Sequence, residues 1–386
     1  MPDRAGVRWW PGALQFISAL AMAPYLRTAY RIRAWGGLPL TRGPALVIPN
    51  LQHDLDDMAI VGRILLDGPW VRPVYAVSAQ LMFEPGFLAL RLPWLGSLLR
   101  TFNPEPLMRG LGLVPIENQL VRRPILRFAH TVLRREANLP LERVFDERAL
   151  AALDAPKGTR LEGLYRGELF GRAQRVVKLS WLREPFRDAI AVETRDDLRE
   201  DLARIETLLQ RGATVYFAPE GTFSTDGRLG RFARSLERFA PLANVYLAAV
   251  SYDPLRGGRL SMLLRILPVA DGDLARELKA ARPVTVSQLL ADWLITETPQ
   301  FTREEAYAAI RTRLERLPAT LFVDPELRAH PERVTGEALA TMVRLKLLQR
   351  DGARYQRGAR RSHPQFPRVD DILAYQARFH AETLGA

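Results

Sequence analysis

The sequence predicts an α/β fold: a mixed, largely parallel sheet flanked by helices, with a helical insertion and a helical C-terminal extension. Three observations predict it. Between residues 44 and 269, short apolar runs alternate with longer stretches of helical periodicity, the pattern of strands joined by helical crossovers. Within that span, residues 120–194 are dense in arginine and separate two strands by far more than an ordinary connection does. After Gly272 the chain turns polar and mostly helical.

In chain order, the expected strands are ALVIP (45–49), RPVYAV (72–77), GLVPI (112–116), TVYFA (214–218), VYLAAVS (245–251) and SMLLRILPV (261–269). Helices are expected after Asp56, over 83–102, over 196–210 and again from about Arg231. Residues 120–194 read as a helical insertion, and RREANLPLERVFDER within it as a charged, solvated helix and connection. In the tail, Thr302 and Glu305 have capping-box spacing ahead of a helix. The stretch VDPELRAHPERVTGEAL reads as a loop entering a helix, and residues 350–368 as a basic surface loop. The domain boundaries that follow are 1–35 for an N-terminal helical segment, 36–270 for the α/β domain with its insertion, and 271–386 for a helical subdomain.

A length of 386 residues supports a large core, and a composition 47% hydrophobic and 25% charged excludes wholesale disorder. The chain has no cysteine, which removes disulfides, thiol nucleophiles and thiolate metal sites together. Its five histidines, His53, His130, His330, His363 and His380, show no zinc-ligand spacing, so no metal is expected. A net charge of +12 points to an anionic partner. Without a zinc finger, a ribonucleoprotein signature or a recognition-helix pattern, an anionic membrane surface is the expected partner and nucleic acid is not. The run WWPGALQFISALAMAPYL (9–26) is bounded by prolines and flanked by Arg4, Arg8, Arg27, Arg31 and Arg33. It suits a helix lying in the membrane interface, with a buried N-terminal helix as the alternative. No small-residue cleavage site precedes the first strand, so a signal peptide is not expected.

Two stretches carry chemistry. In TVYFAPEGTFSTDGRLGRFARS (214–235) a buried strand runs into Pro219, and Glu220, Gly221 and Thr222 form a turn at its carboxyl end, where open α/β sheets bind ligands. Gly221 permits an unusual backbone angle or the close approach of a ligand. In VIPNLQHDLDDMAIV (47–61) one histidine, His53, stands among Asp54, Asp56 and Asp57.

These stretches resemble the glycerolipid acyltransferase family of lysophosphatidic acid and glycerol-3-phosphate acyltransferases. That family carries Phe-Pro-Glu-Gly-Thr-Arg-Ser followed by a glycine and a basic helix. This chain has Ala218-Pro219-Glu220-Gly221-Thr222-Phe223-Ser224, then Gly227 and Arg231 to Arg234. GLVPIEN (112–118) is similar to the family's Gly-x-x-x-Ile-Asp-Arg block, and VYLAAVSYDP (245–254) to the strand bearing its Val-Pro-Val. The stretch around His53 lies where the family keeps Asn-His-x-Ser-x-x-Asp. The resemblance covers roughly residues 30–270.

The resemblance implies transfer of a fatty acyl group from acyl-CoA or an acyl-carrier protein, as co-substrate, to a lipid hydroxyl in phospholipid biosynthesis, at the cytoplasmic face of a membrane and with no cofactor. The chain would be peripheral or monotopic there, and no oligomeric state is implied. An imidazole beside a carboxylate can take the hydroxyl proton as attack begins, so His53 is the expected base, oriented by Asp56 or Asp57. A helix starting by Asp54 would bring Asp57 to His53 at a four-residue spacing; alternatively, Asp56 holds the family position. Glu220, Gly221 and Thr222, with Arg122, Arg228 and Arg231, are the expected acceptor-binding residues; Arg123 and Arg234 offer further guanidinium groups.

Three departures qualify the match. Phe223 and Asn118 stand where the family has arginine, which points away from a simple phosphate monoester and towards a lysophospholipid, glycolipid or other hydroxylated lipid. Anchored on Asn50, the family's histidine becomes Leu51. The alternative reading is therefore a catalytically decayed acyltransferase fold that binds lipid.

Overall fold

The computed structural model describes the chain except residues 1–9, 39–42, 54–55, 68–72, 85, 92–94, 117–121, 222, 270–271 and 297–299. Seven strands form one mixed, mostly parallel sheet: β1 (Tyr30–Gly36), β2 (Ala45–Pro49), β3 (Val74–Ala79), β4 (Leu113–Ile116), β5 (Thr214–Tyr216), β6 (Asn244–Asp253) and β7 (Leu260–Pro268). The α/β expectation therefore holds, with helices in the insertion and in the C-terminal extension. The chain forms two compact units, Met1–Val74 with Leu208–Ala386, and Tyr75–Thr207.

In the first unit, β2 lies between two parallel neighbours, with Val47 opposite Tyr216 of β5 and Tyr246 of β6. Leu46, Val47 and Ile48 are fully buried, as an apolar run without alternation requires, and each contributes roughly 1.5–3 kcal/mol of burial. β6 and β7 form an antiparallel pair, and β1 closes this side in parallel with β7, Tyr30 opposite Leu260. β1 was not among the expected strands. Residues 1–35 were expected to be helical, whereas helix α1 (Trp10–Ala29) ends at the strand, whose alternating Tyr-Arg-Ile-Arg pattern suits a sheet edge.

Helix α1 docks through Gln15, which exchanges two hydrogen bonds with the Val74 backbone at 2.5 and 2.9 Å. It packs on helix α2 (Asp56–Asp67) while Ile17, Leu20 and Tyr25 remain exposed. Among the described residues no helix is long and apolar enough to cross a membrane.

The tail is helical apart from a small sheet. Thr302 and Glu305 form the expected capping box, Thr302 Oγ1 accepting from the Glu305 amide and Glu305 Oε2 from the Thr302 amide. The stretch 323–339, expected to be a loop entering one helix, contains two helical segments, Pro325–Ala329 and the start of Pro331–Arg344. The basic stretch 350–368 is not a surface loop. Its first part pairs in a hairpin of Leu348–Asp351 with Arg354–Arg357, and His363 and Phe366 beyond it are buried.

The second unit has a core of its own. Phe128, Val144, Phe145, Leu153, Leu161 and Leu164 are fully buried there, so the stretch expected to be a solvated helix and connection supplies core residues instead. Its periodicity is hidden because the helix Leu141–Val144 is a single turn. Residues 83–102, expected as one helix, include the short helices Phe87–Arg91 and Gly96–Leu99, while the helix expected over 196–210 begins earlier, at Phe186. From Arg231 only the short helix Leu236–Phe239 forms.

Candidate active site

The candidate site is built by two loops at the carboxyl ends of the parallel neighbours β2 and β5. The first is anchored on β6. The Asn50 side chain donates to the Val250 carbonyl at 3.0 Å and accepts from the Val250 amide at 2.7 Å, and Gln52 Nε2 donates to the same carbonyl at 2.6 Å. Both side chains are buried, so each lost partner would leave a polar group unsatisfied, at about 1–3 kcal/mol.

Asp56 fastens the loop from the helix side. Fully buried, its Oδ2 accepts the Gln52 and His53 amides at 2.6 and 2.8 Å, while Oδ1 accepts a short hydrogen bond from the Tyr252 hydroxyl. Burial pushes its carboxyl up to about 7, against the pull of those donors. Asp57 accepts from the Tyr216 hydroxyl at 2.6 Å, and burial raises its pKa as well. Neither carboxylate binds the imidazole, which corrects the expectation that one of them orients it. The oxygens of both carboxylates are taken elsewhere, those of Asp56 by two backbone amides and the Tyr252 hydroxyl and Oδ1 of Asp57 by the Tyr216 hydroxyl. Asp56 reaches His53 through the backbone amide.

The imidazole has other partners. His53 Nδ1 lies 2.8 Å from the Tyr30 hydroxyl, and Nε2 lies 2.9 Å from the Gln365 carbonyl oxygen. A carbonyl only accepts, so Nε2 carries a proton, and in the neutral ring Nδ1 then accepts from Tyr30. The rings of Tyr252 and Phe366 pack against it, with centroids 5.8 and 5.7 Å away. His363 holds the covering segment, its Nδ1 accepting from the Gln365 amide at 3.2 Å; burial lowers its pKa to about 4.

The second loop begins where β5 ends at Tyr216, two residues earlier than expected. Gly221 has φ +65° and open space where a Cβ would stand, so the turn needs glycine for its angle and not for room. Glu220 joins the two loops, Oε1 accepting from the Leu51 amide at 3.2 Å and Oε2 from the Gly230 amide at 2.6 Å. Burial raises its pKa, and these amides together with buried Arg282 oppose the rise. The Leu51 carbonyl accepts from the Ser224 amide at 3.3 Å, and its side chain is buried. Leu51 is thus a structural residue at the position that the resemblance gives to the catalytic histidine.

Of the other expected acceptor-binding residues, Arg228 and Arg231 are exposed and form no ion pair among the described residues. Thr222 lies outside the described residues, as does the side chain of Arg122. The Arg122 backbone belongs to the second unit, in the strand Arg122–Pro124 paired with Val176–Lys178. Arg368 lies 4.8 Å over the ring of Phe223, a guanidinium beside the residue at which the resemblance expects an arginine.

Sequence reasoning missed Tyr30, Tyr252, Gln365 and Phe366. Tyr252 lies in β6, one residue beyond the expected bounds of 245–251, and no local pattern marks its hydroxyl as the partner of Asp56. The other contacts join segments 23 and 312 residues apart, beyond the reach of periodicity. Among the described residues no group of His, Asp and Glu side chains is arranged to hold a metal ion. No protein-family model matches the chain, and no curated protein matches it.

Proposed function

We propose that the protein is a membrane-associated acyltransferase, moving a fatty acyl group from an acyl-CoA or acyl-carrier-protein thioester to a hydroxyl of a lysophospholipid or related lipid. The observation that carries this reading is the convergence of the Asn50–Asp56 and Glu220–Gly230 loops, with one imidazole beside them, at the carboxyl ends of adjacent parallel strands. His53 is the general base. As the acceptor oxygen attacks the thioester carbonyl, its proton passes to Nε2. The C–S bond then breaks and the leaving thiolate takes that proton from Nε2, leaving an ester and a free thiol. The Gln365 carbonyl occupies Nε2 in the resting structure, so residues 361–369 move aside before the acceptor binds. Support for a membrane surface comes from exposed Ile17, Leu20 and Tyr25 on α1 and Met58 and Leu66 on α2, with Arg27 and Arg31 exposed nearby in sequence.

A second reading, a lipid-binding protein without turnover, is favoured by one observation: both imidazole nitrogens are already engaged. Purified protein offered long-chain acyl-CoA and acyl-carrier protein with a panel of lysolipids decides between them. The acyltransferase reading expects thiol release matched by ester formation, reduced roughly 100-fold or more in His53→Ala. Turnover unaffected by His53→Ala sinks the base assignment. A wild type that is inactive across the panel yet purifies with lipid bound supports the second reading.

A further inference from the structure

We infer that Tyr30 is the positioning residue of His53, standing where an aspartate–histidine pair has its carboxylate, and that its hydroxyl supports both neutral tautomers of the ring. The inference rests on the reading of His53 as base. The carboxylates expected for this role are committed elsewhere, Asp56 to two amides and Tyr252, and Asp57 to Tyr216. What meets Nδ1 is the Tyr30 hydroxyl, at 2.8 Å.

Tyr30 is well placed for this. It is the first residue of β1, fixed in register opposite Leu260, and only 5% exposed. Its ring meets the imidazole edge-on, with an interplanar angle of 81°, and packs beside Tyr252 at 6.3 Å. Backbone and ring are therefore both held, and the remaining freedom is rotation of the O–H about its C–O bond.

That freedom distinguishes a hydroxyl from a carboxylate. An ionised carboxylate only accepts, so it enforces a proton on Nδ1; a phenol both donates and accepts. In the resting structure the Gln365 carbonyl takes the Nε2 proton and Tyr30 donates to Nδ1. When a substrate hydroxyl replaces that carbonyl, Nε2 must present its lone pair. The ring then gives its Nε2 proton to solvent, takes one from solvent at Nδ1, and directs it to a Tyr30 oxygen whose own hydrogen has turned away. During transfer the imidazolium keeps this Nδ1–H to Tyr30 bond, which holds the ring's orientation.

Imidazole 15N spectra of the full chain, with His53 assigned by its loss in His53→Ala, test this together with the kinetics of Tyr30→Phe, which retains the ring. The expected wild-type spectrum shows His53 protonated at Nε2 and hydrogen-bonded at Nδ1. In Tyr30→Phe the Nδ1 resonance moves to its unbonded position, and kcat falls roughly tenfold to hundredfold with KM changed less than about twofold. A wild-type ring protonated at Nδ1, a Tyr30→Phe spectrum with unmoved His53 nitrogens, or an unchanged kcat overturns the inference. If Tyr30→Phe does not fold, the wild-type spectrum alone decides the resting tautomer. If the wild type transfers no acyl group, the acyltransferase reading fails and the positioning role falls with it, while the spectra still show whether Tyr30 holds the ring.

Discussion

Asp56 is where the residue-scale energetics are clearest, because it is fully buried and its carboxyl is raised to about 7 from 3.8. Between those two values the unfolded chain gives up a proton that the folded chain keeps. Stability attributable to this group is thus fully present below pH 3.8 and is lost as pH rises through 7. Asparagine can keep the geometry, its oxygen accepting the Gln52 and His53 amides and its NH2 group facing the Tyr252 oxygen. Asp56→Asn is therefore expected to match wild type near pH 4 and to exceed it above pH 7, by up to roughly 4 kcal/mol. Urea denaturation across pH 4 to 8 measures this; parallel wild-type and variant curves would show that Asp56 ionises normally. At this scale the sequence made the importance of 50–57 legible but not its wiring. Three acidic residues beside a histidine suggest a pair, whereas Asp56 bonds backbone amides and Tyr252, partners that no local spacing marks.

At the scale of elements, legibility followed burial. β2 has the expected bounds, and the antiparallel pair β6 and β7 differs from expectation by no more than two residues at either end, since a run such as ALVIP has no amphipathic alternative. β1 was missed because it continues an apolar helix without a break and carries arginines at its sheet edge. In the second loop the sequence signal is Pro219 with its glycines, and two glycines there separate two causes. Gly221, at φ +65° with empty space beside it, should lose about 1 kcal/mol as alanine, from backbone conformation alone. Gly227, at φ +88°, also lies against the Tyr375 carbonyl, where a Cβ would collide with backbone. Gly227→Ala should cost at least about 2 kcal/mol more than Gly221→Ala and displace the helix Ile372–Leu384. Equal losses in thermal denaturation would mean that this helix is not packed tightly on the loop.

At the scale of the whole molecule, the first unit is closed by charge drawn from both ends of the chain. Arg33 of β1 donates to both Asp324 oxygens at 2.6 and 2.7 Å, and buried Arg256 binds Glu326 at 2.9 and 3.0 Å and Glu337 at 2.9 Å. Arg256 holds the Glu326 carboxyl well below the usual range. Stability from Glu326 is thus present above about pH 4.5 and lost as pH falls below it. Asp253 and Asp56 act in the opposite sense. Burial raises them to about 6 and about 7, so their stability is present below pH 3.8 and is lost as pH rises through those values. Self-repulsion from the +12 net charge grows as carboxylates protonate, which steepens the acid limb but not the upper one. The melting temperature, measured in about 0.3 M salt to screen that repulsion, should be highest at roughly pH 4, far below the pI near 10.4, and fall as pH rises towards 7. Glu326→Gln should flatten the acid limb and Asp56→Asn the upper one, each leaving the other limb in place. A melting temperature that climbs steadily from pH 5 to 8 in the wild type would mean that Asp56 and Asp253 are ionised in the folded protein.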